Sequence, residues 1–245
     1  MNLFYSPNLR HSNLLPEDES AHAVRVLRLK QGDSIEVIDG KGLLCRAEIA
    51  LAHPKCCEFR VVEKTFAENP RKFNLHIAIA PTKSTDRFEC FVEKATEIGI
   101  DTITPILCRF SERKSLKNER PEKIIISACK QSKNFYFPEI HELTEFDKFI
   151  RAIANKSLSV DRYNGDNSEV QKFIAHCHEG EKAQLKNICA PQTDTIILIG
   201  PEGDFSHEET LLAEQCGFTS VNLGSSRLRT ETAGIIACAT VGFVQ

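Results

Sequence analysis

From Phe73 onward the chain alternates short apolar runs with longer segments of helical periodicity, and this alternation constrains its fold most strongly. Runs that are almost wholly apolar are typical of strands buried on both faces of a parallel sheet. The first helical segment has an apolar face made of Phe88, Phe91, Val92, Ala95 and Ile98 and ends at Gly99. The predicted strands are Asn74–Ala80, Thr102–Cys108, Leu158–Val160, Thr195–Ile199 and Ser220–Leu223. The pattern predicts an α/β domain built on a parallel sheet.

The first seventy or so residues have a different pattern, with short alternating strands and tight turns. Strands are predicted at Ser34–Asp39, Leu43–Leu51 and Cys57–Val62, with a turn signal at Asp39-Gly40. Such a segment is typical of a small β-barrel. The polar stretch Asn69–Lys72 contains Pro70 and is interpreted as a linker. We therefore predict two domains, residues 1–70 and residues 71–245.

Positive charge is concentrated locally although the net charge of the chain is −3. The stretch 109–133 holds eight basic and three acidic residues, and a second basic patch surrounds Arg25 and Arg28. A local basic face can follow phosphates on a mildly acidic protein. Taken alone, a solvated helix face balanced by neighbouring acids explains the stretch equally well.

The ten cysteines are expected to be reduced, because they are scattered through apolar stretches and form no C-x-x-C pair. No run of eighteen apolar residues occurs, and the first residues lack the pattern of a signal peptide. We therefore expect a cytoplasmic protein without membrane contact. We also expect no metal, since the neighbours His176, Cys177 and His178 would point apart on one element.

The strongest local motif is a buried strand that runs directly into a glycine turn, Ile199-Gly200-Pro201-Glu202-Gly203. Ser206 and Glu209 then form a predicted capping box that begins a helix. The two glycines permit close approach of a ligand or a positive φ. Because ligands of open α/β sheets bind beyond the carboxyl ends of strands, the turn is a candidate ligand loop. The spacing is neither that of a P-loop nor G-x-G-x-x-G.

A second strand, glycine turn and helix start follows at residues 223–234. Arg227, Arg229 and Glu231 are crowded between apolar elements, and Thr232 is the predicted N-cap of the last helix. Burying such charges is costly, so either a ligand or a structural Arg–Glu pair is expected.

Together these two motifs resemble the paired signatures of the SPOUT superfamily of methyltransferases, and more narrowly the ribosomal RNA small subunit methyltransferase E family. Those family members methylate N3 of uridine in 16S ribosomal RNA. His22–Arg28, the segment Lys83–Gly99 and Ile103-Thr104-Pro105 also fit that family, so the resemblance extends over nearly the whole chain. Family members commonly have a glycine where this chain has Asp204.

The resemblance implies a PUA-like β-barrel at the N-terminus, a C-terminal trefoil knot in the α/β domain and a homodimer with the active site near the subunit interface. The implied cofactor is S-adenosylmethionine, and the implied partner is 16S ribosomal RNA or the small ribosomal subunit. The residues expected to bind the cofactor are Ile199, Gly200, Pro201, Glu202, Gly203, Leu223, Gly224 and Leu228.

Methylation at N3 requires loss of the N3 proton, with negative charge spreading onto the flanking carbonyl oxygens. Arg229 is our candidate for stabilising that charge, and Glu231 for orienting Arg229 or assisting the proton. Glu202 is a weaker candidate for the base. The residues expected to contact RNA are Arg25, Arg28, Lys114, Lys117, Lys130 and Lys133. Two alternatives are a SPOUT enzyme that methylates a ribose 2′-OH and a non-catalytic RNA-binding assembly factor.

Overall fold

A computed structural model describes residues 2–69, 71–155 and 170–244. The chain forms two compact units, Met1–Pro70 with Ile126–Phe137, and Arg71–Ile125 with Pro138–Gln245. The strand predicted at 158–160 lies outside the described residues. Residues 126–137 belong to the first unit although they follow the predicted linker at residues 69–72. The predicted boundary between residues 70 and 71 therefore omits this segment, because a contact between residues distant in sequence has no local signal.

The first unit is built on a four-stranded sheet with strand order β1-β2-β3-β4. Its elements are β1 (Asn2–Tyr5), α1 (Glu17–Ala21) continued by a π-helical turn (His22–Val26), β2 (Ser34–Ile38), β3 (Leu43–Leu51) and β4 (Glu58–Phe66). The strand β1 runs parallel to β2, while the β2–β3 and β3–β4 pairs are antiparallel. An antiparallel bridge joins Leu14 to Glu58 at the edge strand. The strands predicted at residues 34–39, 43–51 and 57–62 are confirmed.

Residues 135–137 join the first unit by packing against the turn that follows β2. The Tyr136 hydroxyl donates to the Ala67 carbonyl at 2.9 Å, and the Phe137 ring lies 4.8 Å from that of Tyr5. The Gly40 backbone lies so close to Phe137 that a Cβ there would come within 2.9 Å of the ring. These aromatic side chains therefore pack within the unit.

The described residues of the second unit form an eight-stranded parallel sheet. Its elements are β5 (Leu75–Ile79), α2 (Thr85–Ile98), β6 (Thr102–Leu107), β7 (Glu139–Ile140), β8 (Thr144–Glu145), α4 (Phe146–Ala154), β9 (Gln171–Ala175), β10 (Ala183–Gln184), α5 (Leu185–Ile188), β11 (Thr195–Ile199), α6 (His207–Gln215), β12 (Thr219–Asn222) and α7 (Thr230–Val244), while α3 (Glu119–Ser132) is shared by both units. The order is β10-β12-β9-β11-β5-β6-β7, with β8 also pairing with β6. The predicted α/β architecture with a parallel sheet is confirmed.

The local signals of the sequence explain the central elements. All residues of β5 and β11 are buried, as their apolar composition predicted for strands covered on both faces. The helix α2 ends at Gly99, which adopts the left-handed conformation (φ 116°). Ser206 and Glu209 form both hydrogen bonds of the predicted capping box. The ten cysteines, all within the described residues, form no disulfide. In the part of the chain described, no helix is long and apolar enough to cross a membrane.

Gly234 and Gly242 of α7 provide a matched pair of helical glycines with opposite expected effects on stability. A Cβ at Gly234 would lie 2.6 Å from the Phe91 ring of α2, whereas a Cβ at Gly242 has its nearest neighbour at 3.9 Å. We expect Gly234→Ala to lower the free energy of unfolding by about 1–3 kcal/mol because it overpacks the α2–α7 contact. Gly242→Ala is expected to raise it by up to about 1 kcal/mol through helix propensity. Chemical denaturation of both variants measures the difference, and equal effects would contradict this account of the packing.

Candidate active site

The carboxyl ends of three neighbouring parallel strands, β12, β9 and β11, meet at one edge of the sheet. The loops that follow these strands and the start of α7 enclose a cleft of about 690 Å³, which we call the main cleft. This volume lies in the range of small-molecule sites. The predicted residues that line it are Ile199, Gly200, Pro201, Glu202, Leu223, Gly224, Leu228 and Arg229.

Gly203 is the one predicted cofactor residue that does not line the main cleft. It lines an adjoining cleft instead, where a Cβ would lie 3.0 Å from the Cβ of Phe110. Neither Gly200 nor Gly203 has a positive φ. Glycine is therefore required in this turn because neighbouring atoms leave little room for a Cβ. At Gly203 the neighbour is the Phe110 side chain, not a bound ligand.

The left-handed residue of this turn is Asp204, with φ 68°. Its two carboxylate oxygens accept hydrogen bonds from the backbone N–H groups of Phe205 at 2.8 Å and Cys177 at 2.7 Å. Aspartate tolerates this conformation better than most residues because its short side chain bonds to the local backbone. Asp204 thus ties the loop after β11 to the loop after β9.

The last helix begins at Thr230, so the prediction of Thr232 as its N-cap was wrong. The Thr230 hydroxyl is buried and donates to the Gly200 carbonyl oxygen at 3.0 Å. This hydrogen bond joins the two glycine turns that sequence analysis singled out. A contact across thirty residues has no local signature, and this explains why the helix start was misplaced.

The two arginines of the second turn, Arg227 and Arg229, are exposed, line the main cleft and form no ion pair with any described residue. Glu231 does not line the cleft. Among the described residues its nearest cation is Arg87 of α2, with 3.9 Å between Nε and Oε1, and its side chain is 12% exposed. The structure therefore brings Arg229 to the main cleft but does not bring Glu231 to Arg229, and neither arginine forms the Arg–Glu pair considered above.

A polar network that sequence analysis missed borders the main cleft. His176 and Lys182 line the cleft, and the Lys182 ammonium donates to the His178 carbonyl and lies 3.4 Å from His176 Nδ1. His176 Nε2 lies 2.9 Å from the Ser220 hydroxyl, which donates to Glu214. Burial, together with Lys182 and His178, lowers the pKa of His176 to about 4, so the imidazole is neutral at pH 7. The sequence signal that could have indicated this network is the run His176-Cys177-His178, which directly follows an apolar strand.

The predicted RNA-contacting residues fall into two groups. Arg25, Arg28, Lys114, Lys117 and Lys133 are exposed. Lys130 is paired with Glu19 at 2.6 Å and its side chain is only 20% exposed, so its charge is already engaged within the first unit. In the same basic stretch, Arg113 is held by the carbonyls of Thr82 and Lys83. The free positive charge at residues 109–133 is therefore smaller than the composition suggested.

Family models identify the class of protein to which this fold and cleft belong. The model described as RNA methyltransferase domain matches residues 68–242, and the model described as RNA methyltransferase PUA domain matches residues 15–62. The chain therefore belongs to the RNA methyltransferases that carry a PUA domain.

Comparison with individual proteins identifies the family within this class. The chain is 30% identical over 231 residues to ribosomal RNA small subunit methyltransferase E of Rickettsia conorii, covering 93% of this chain and 88% of that protein. A probable rRNA-methyltransferase from Porphyromonas gingivalis is similar in structure, with 38% identity, a TM-score of 0.88 and coverage of 100% and 98% of the two chains. The ribosomal RNA small subunit methyltransferase E of Neisseria gonorrhoeae, bound to S-adenosyl methionine, has 26% identity, a TM-score of 0.79 and coverage of 98% and 95%. The chain belongs to the ribosomal RNA small subunit methyltransferase E family.

Proposed function

We propose that this protein transfers a methyl group from S-adenosylmethionine to N3 of a specific uridine in 16S ribosomal RNA of the small subunit. The observation that carries the proposal is the main cleft, where two glycine turns joined by the Thr230–Gly200 hydrogen bond enclose exposed Arg229. Membership of the ribosomal RNA small subunit methyltransferase E family supports the substrate class.

The residues of the main cleft fit S-adenosylmethionine. Gly224 lines it with φ 133° and has open space within 4 Å of the position of a Cβ, so its backbone is accessible to a ligand. One carboxylate oxygen of Glu202 is buried without a hydrogen-bond partner among the described residues, while the other accepts from the Lys83 N–H at 2.9 Å. We infer that the apolar side chains of Ile199, Leu223 and Leu228 pack against the cofactor. The backbone of the two turns would hold its polar groups.

In the proposed mechanism, the protein makes N3 of uracil nucleophilic. The sulfonium of the bound cofactor supplies an electrophilic methyl group, so no metal is required. A carboxylate accepts the N3 proton, and the Arg229 guanidinium donates hydrogen bonds to the carbonyl oxygen on which negative charge develops. Glu202 is the stronger candidate for accepting the proton, because it lines the main cleft and one of its oxygens is buried without a partner among the described residues. Glu231, our first candidate from the sequence, also has an unpartnered buried oxygen but does not line the cleft, so it would have to act through another group.

The exposed Lys114 and Lys117 are proposed to hold the RNA through phosphate contacts. We expect the double variant Lys114→Glu/Lys117→Glu to weaken RNA binding. The negative slope of the logarithm of the association constant against log[salt] should decrease in magnitude by about one to two. Lys148→Glu, a charge reversal at an exposed position of α4, is the control and should leave the slope unchanged. Binding titrations at several salt concentrations measure both. If the double variant had the same slope as the unmodified protein, Lys114 and Lys117 would not contact the RNA phosphates.

We further propose that the protein acts in the cytoplasm as a homodimer and that the chain of the second unit forms a trefoil knot, as the family resemblance implies. The helix α7 is largely apolar and leaves Ile236 and Phe243 exposed, and a second copy of the chain would cover such side chains. Analytical ultracentrifugation tests this assembly.

Transfer of a labelled methyl group to ribosomal subunits tests the proposed function directly. Small subunits from cells that lack the protein should accept the label from S-adenosylmethionine, whereas large subunits should not. A chain that binds RNA but neither binds S-adenosylmethionine nor transfers the label would be a non-catalytic RNA-binding factor.

A further inference from the structure

We infer that the adjoining cleft, which we call the side cleft, holds the target nucleotide with its base stacked on the ring of Phe110. This inference rests on the proposed function and assigns a substrate subsite to it. The side cleft has a volume of about 480 Å³ and lies against the main cleft, with which it shares Cys177, Asp204 and Arg227. An acceptor base must reach the methyl group, so a base held in a cleft that shares a wall with the cofactor site lies in the right place.

Phe110 offers the side cleft an aromatic face that the core does not use. The residue is 48% exposed, although β6 ends only three residues before it. The absence of a side chain at Gly203 leaves room for Phe110, because a Cβ there would meet the Phe110 Cβ at 3.0 Å. Glycine at position 203 therefore allows the exposed Phe110 side chain to pack against the glycine turn.

The position of Phe110 is fixed by its neighbour Arg109. The backbone N–H of Arg109 donates to Glu209 at 2.8 Å, and Glu209 is the capping-box residue of α6. The Arg109 guanidinium is held by Glu208 at 2.9 Å and lies 5.8 Å from the centroid of the Phe110 ring. The aromatic platform is thus attached to a helix start and does not depend on a free loop.

The charges around the side cleft suit a nucleotide. Arg227 is exposed and has no ion pair among the described residues. Both oxygens of Asp204 are occupied by backbone N–H groups. Proteins hold unstacked bases on aromatic rings and arginine planes and hold their phosphates with cations. A base to be methylated at N3 must leave its pairing partner, and such a platform would receive it.

Single-turnover methyl transfer to small ribosomal subunits, at saturating subunit and S-adenosylmethionine, tests the subsite. On the bound subunit, stacking on Phe110 would set the fraction of target bases that occupy the side cleft, and a stacked base contributes about 1–3 kcal/mol. We therefore expect Phe110→Leu to lower the rate at saturation roughly 5- to 150-fold. Phe110→Tyr keeps the aromatic face and should stay within about threefold of the unmodified protein. The affinity for S-adenosylmethionine, measured by calorimetry, should be unchanged in both variants, since Phe110 does not line the main cleft.

The matched control is Phe66→Leu in the first unit. Phe66 is 66% exposed and has the Arg10 guanidinium 5.8 Å from its ring centroid, but it does not line the side cleft. We expect its single-turnover rate at saturation to be unchanged. An unchanged rate in Phe110→Leu would overturn the inference. So would a change of oligomeric state in Phe110→Leu, since Phe110 would then be covered by protein. Absence of transfer by the unmodified protein would instead overturn the proposed function.

Discussion

Replacing Arg229 with alanine is expected to lower kcat for methyl transfer by about 100- to 1000-fold, the usual cost of losing one donor to a developing oxyanion. Arg229 is exposed in the main cleft and has no ion pair among the described residues, so its guanidinium is available to the substrate. Arg229→Lys keeps the charge but loses the planar donor fork and should recover only part of the activity.

Arg151→Ala provides the control for Arg229→Ala, because it makes the same change of charge at an exposed position of α4. It should leave kcat unchanged. The dissociation constant of S-adenosylmethionine, measured by calorimetry, should change less than about threefold in Arg229→Ala if the role is confined to the transition state. Full activity in Arg229→Ala, with unchanged cofactor affinity, would show that another group stabilises the charge.

Replacing Asp204 with alanine is expected to lower the free energy of unfolding by about 2–4 kcal/mol and to weaken S-adenosylmethionine binding at least tenfold. The variant loses the carboxylate that accepts from Cys177 and Phe205, and it leaves alanine in the left-handed conformation. The cofactor should bind more weakly because the loops after β9 and β11 both line the main cleft.

Two further substitutions at Asp204 separate the causes. Asp204→Gly removes the carboxylate but suits φ 68°, so it should be more stable than Asp204→Ala. Asp204→Asn tolerates the conformation and keeps one acceptor oxygen, so it should be the most stable of the three. Chemical denaturation and calorimetry give the order. If alanine and asparagine behaved alike, the two hydrogen bonds would not hold the loops together.

Features with strong local causes were predictable from the sequence. The bounds of β3 and β11 follow from their alternating and continuous apolar patterns, and the Ser206–Glu209 capping box follows from its spacing. The position of the main cleft was predictable as well, because two glycine turns follow strands of one parallel sheet.

The features that escaped prediction depend on contacts between residues distant in sequence. The Thr230–Gly200 hydrogen bond places the start of α7, and Arg87 rather than Arg229 lies beside Glu231. Gly203 looked like a ligand-contacting glycine because its motif could not reveal that Phe110 packs against it. Counting charges along residues 109–133 also overestimated the unpaired positive charge. Lys130 is paired with Glu19, which lies more than a hundred residues away in the sequence and outside that stretch.

Nucleoside analysis of 16S ribosomal RNA after methyl transfer identifies the atom that accepts the methyl group. Small subunits from cells that lack the protein would be incubated with it and labelled S-adenosylmethionine, and the rRNA would then be digested to nucleosides. We expect the label in 3-methyluridine, appearing about 100- to 1000-fold more slowly in the Arg229→Ala reaction. Label in a 2′-O-methylated nucleoside would contradict the account, because the acceptor would then be a ribose hydroxyl and the proposed chemistry at N3 would be wrong.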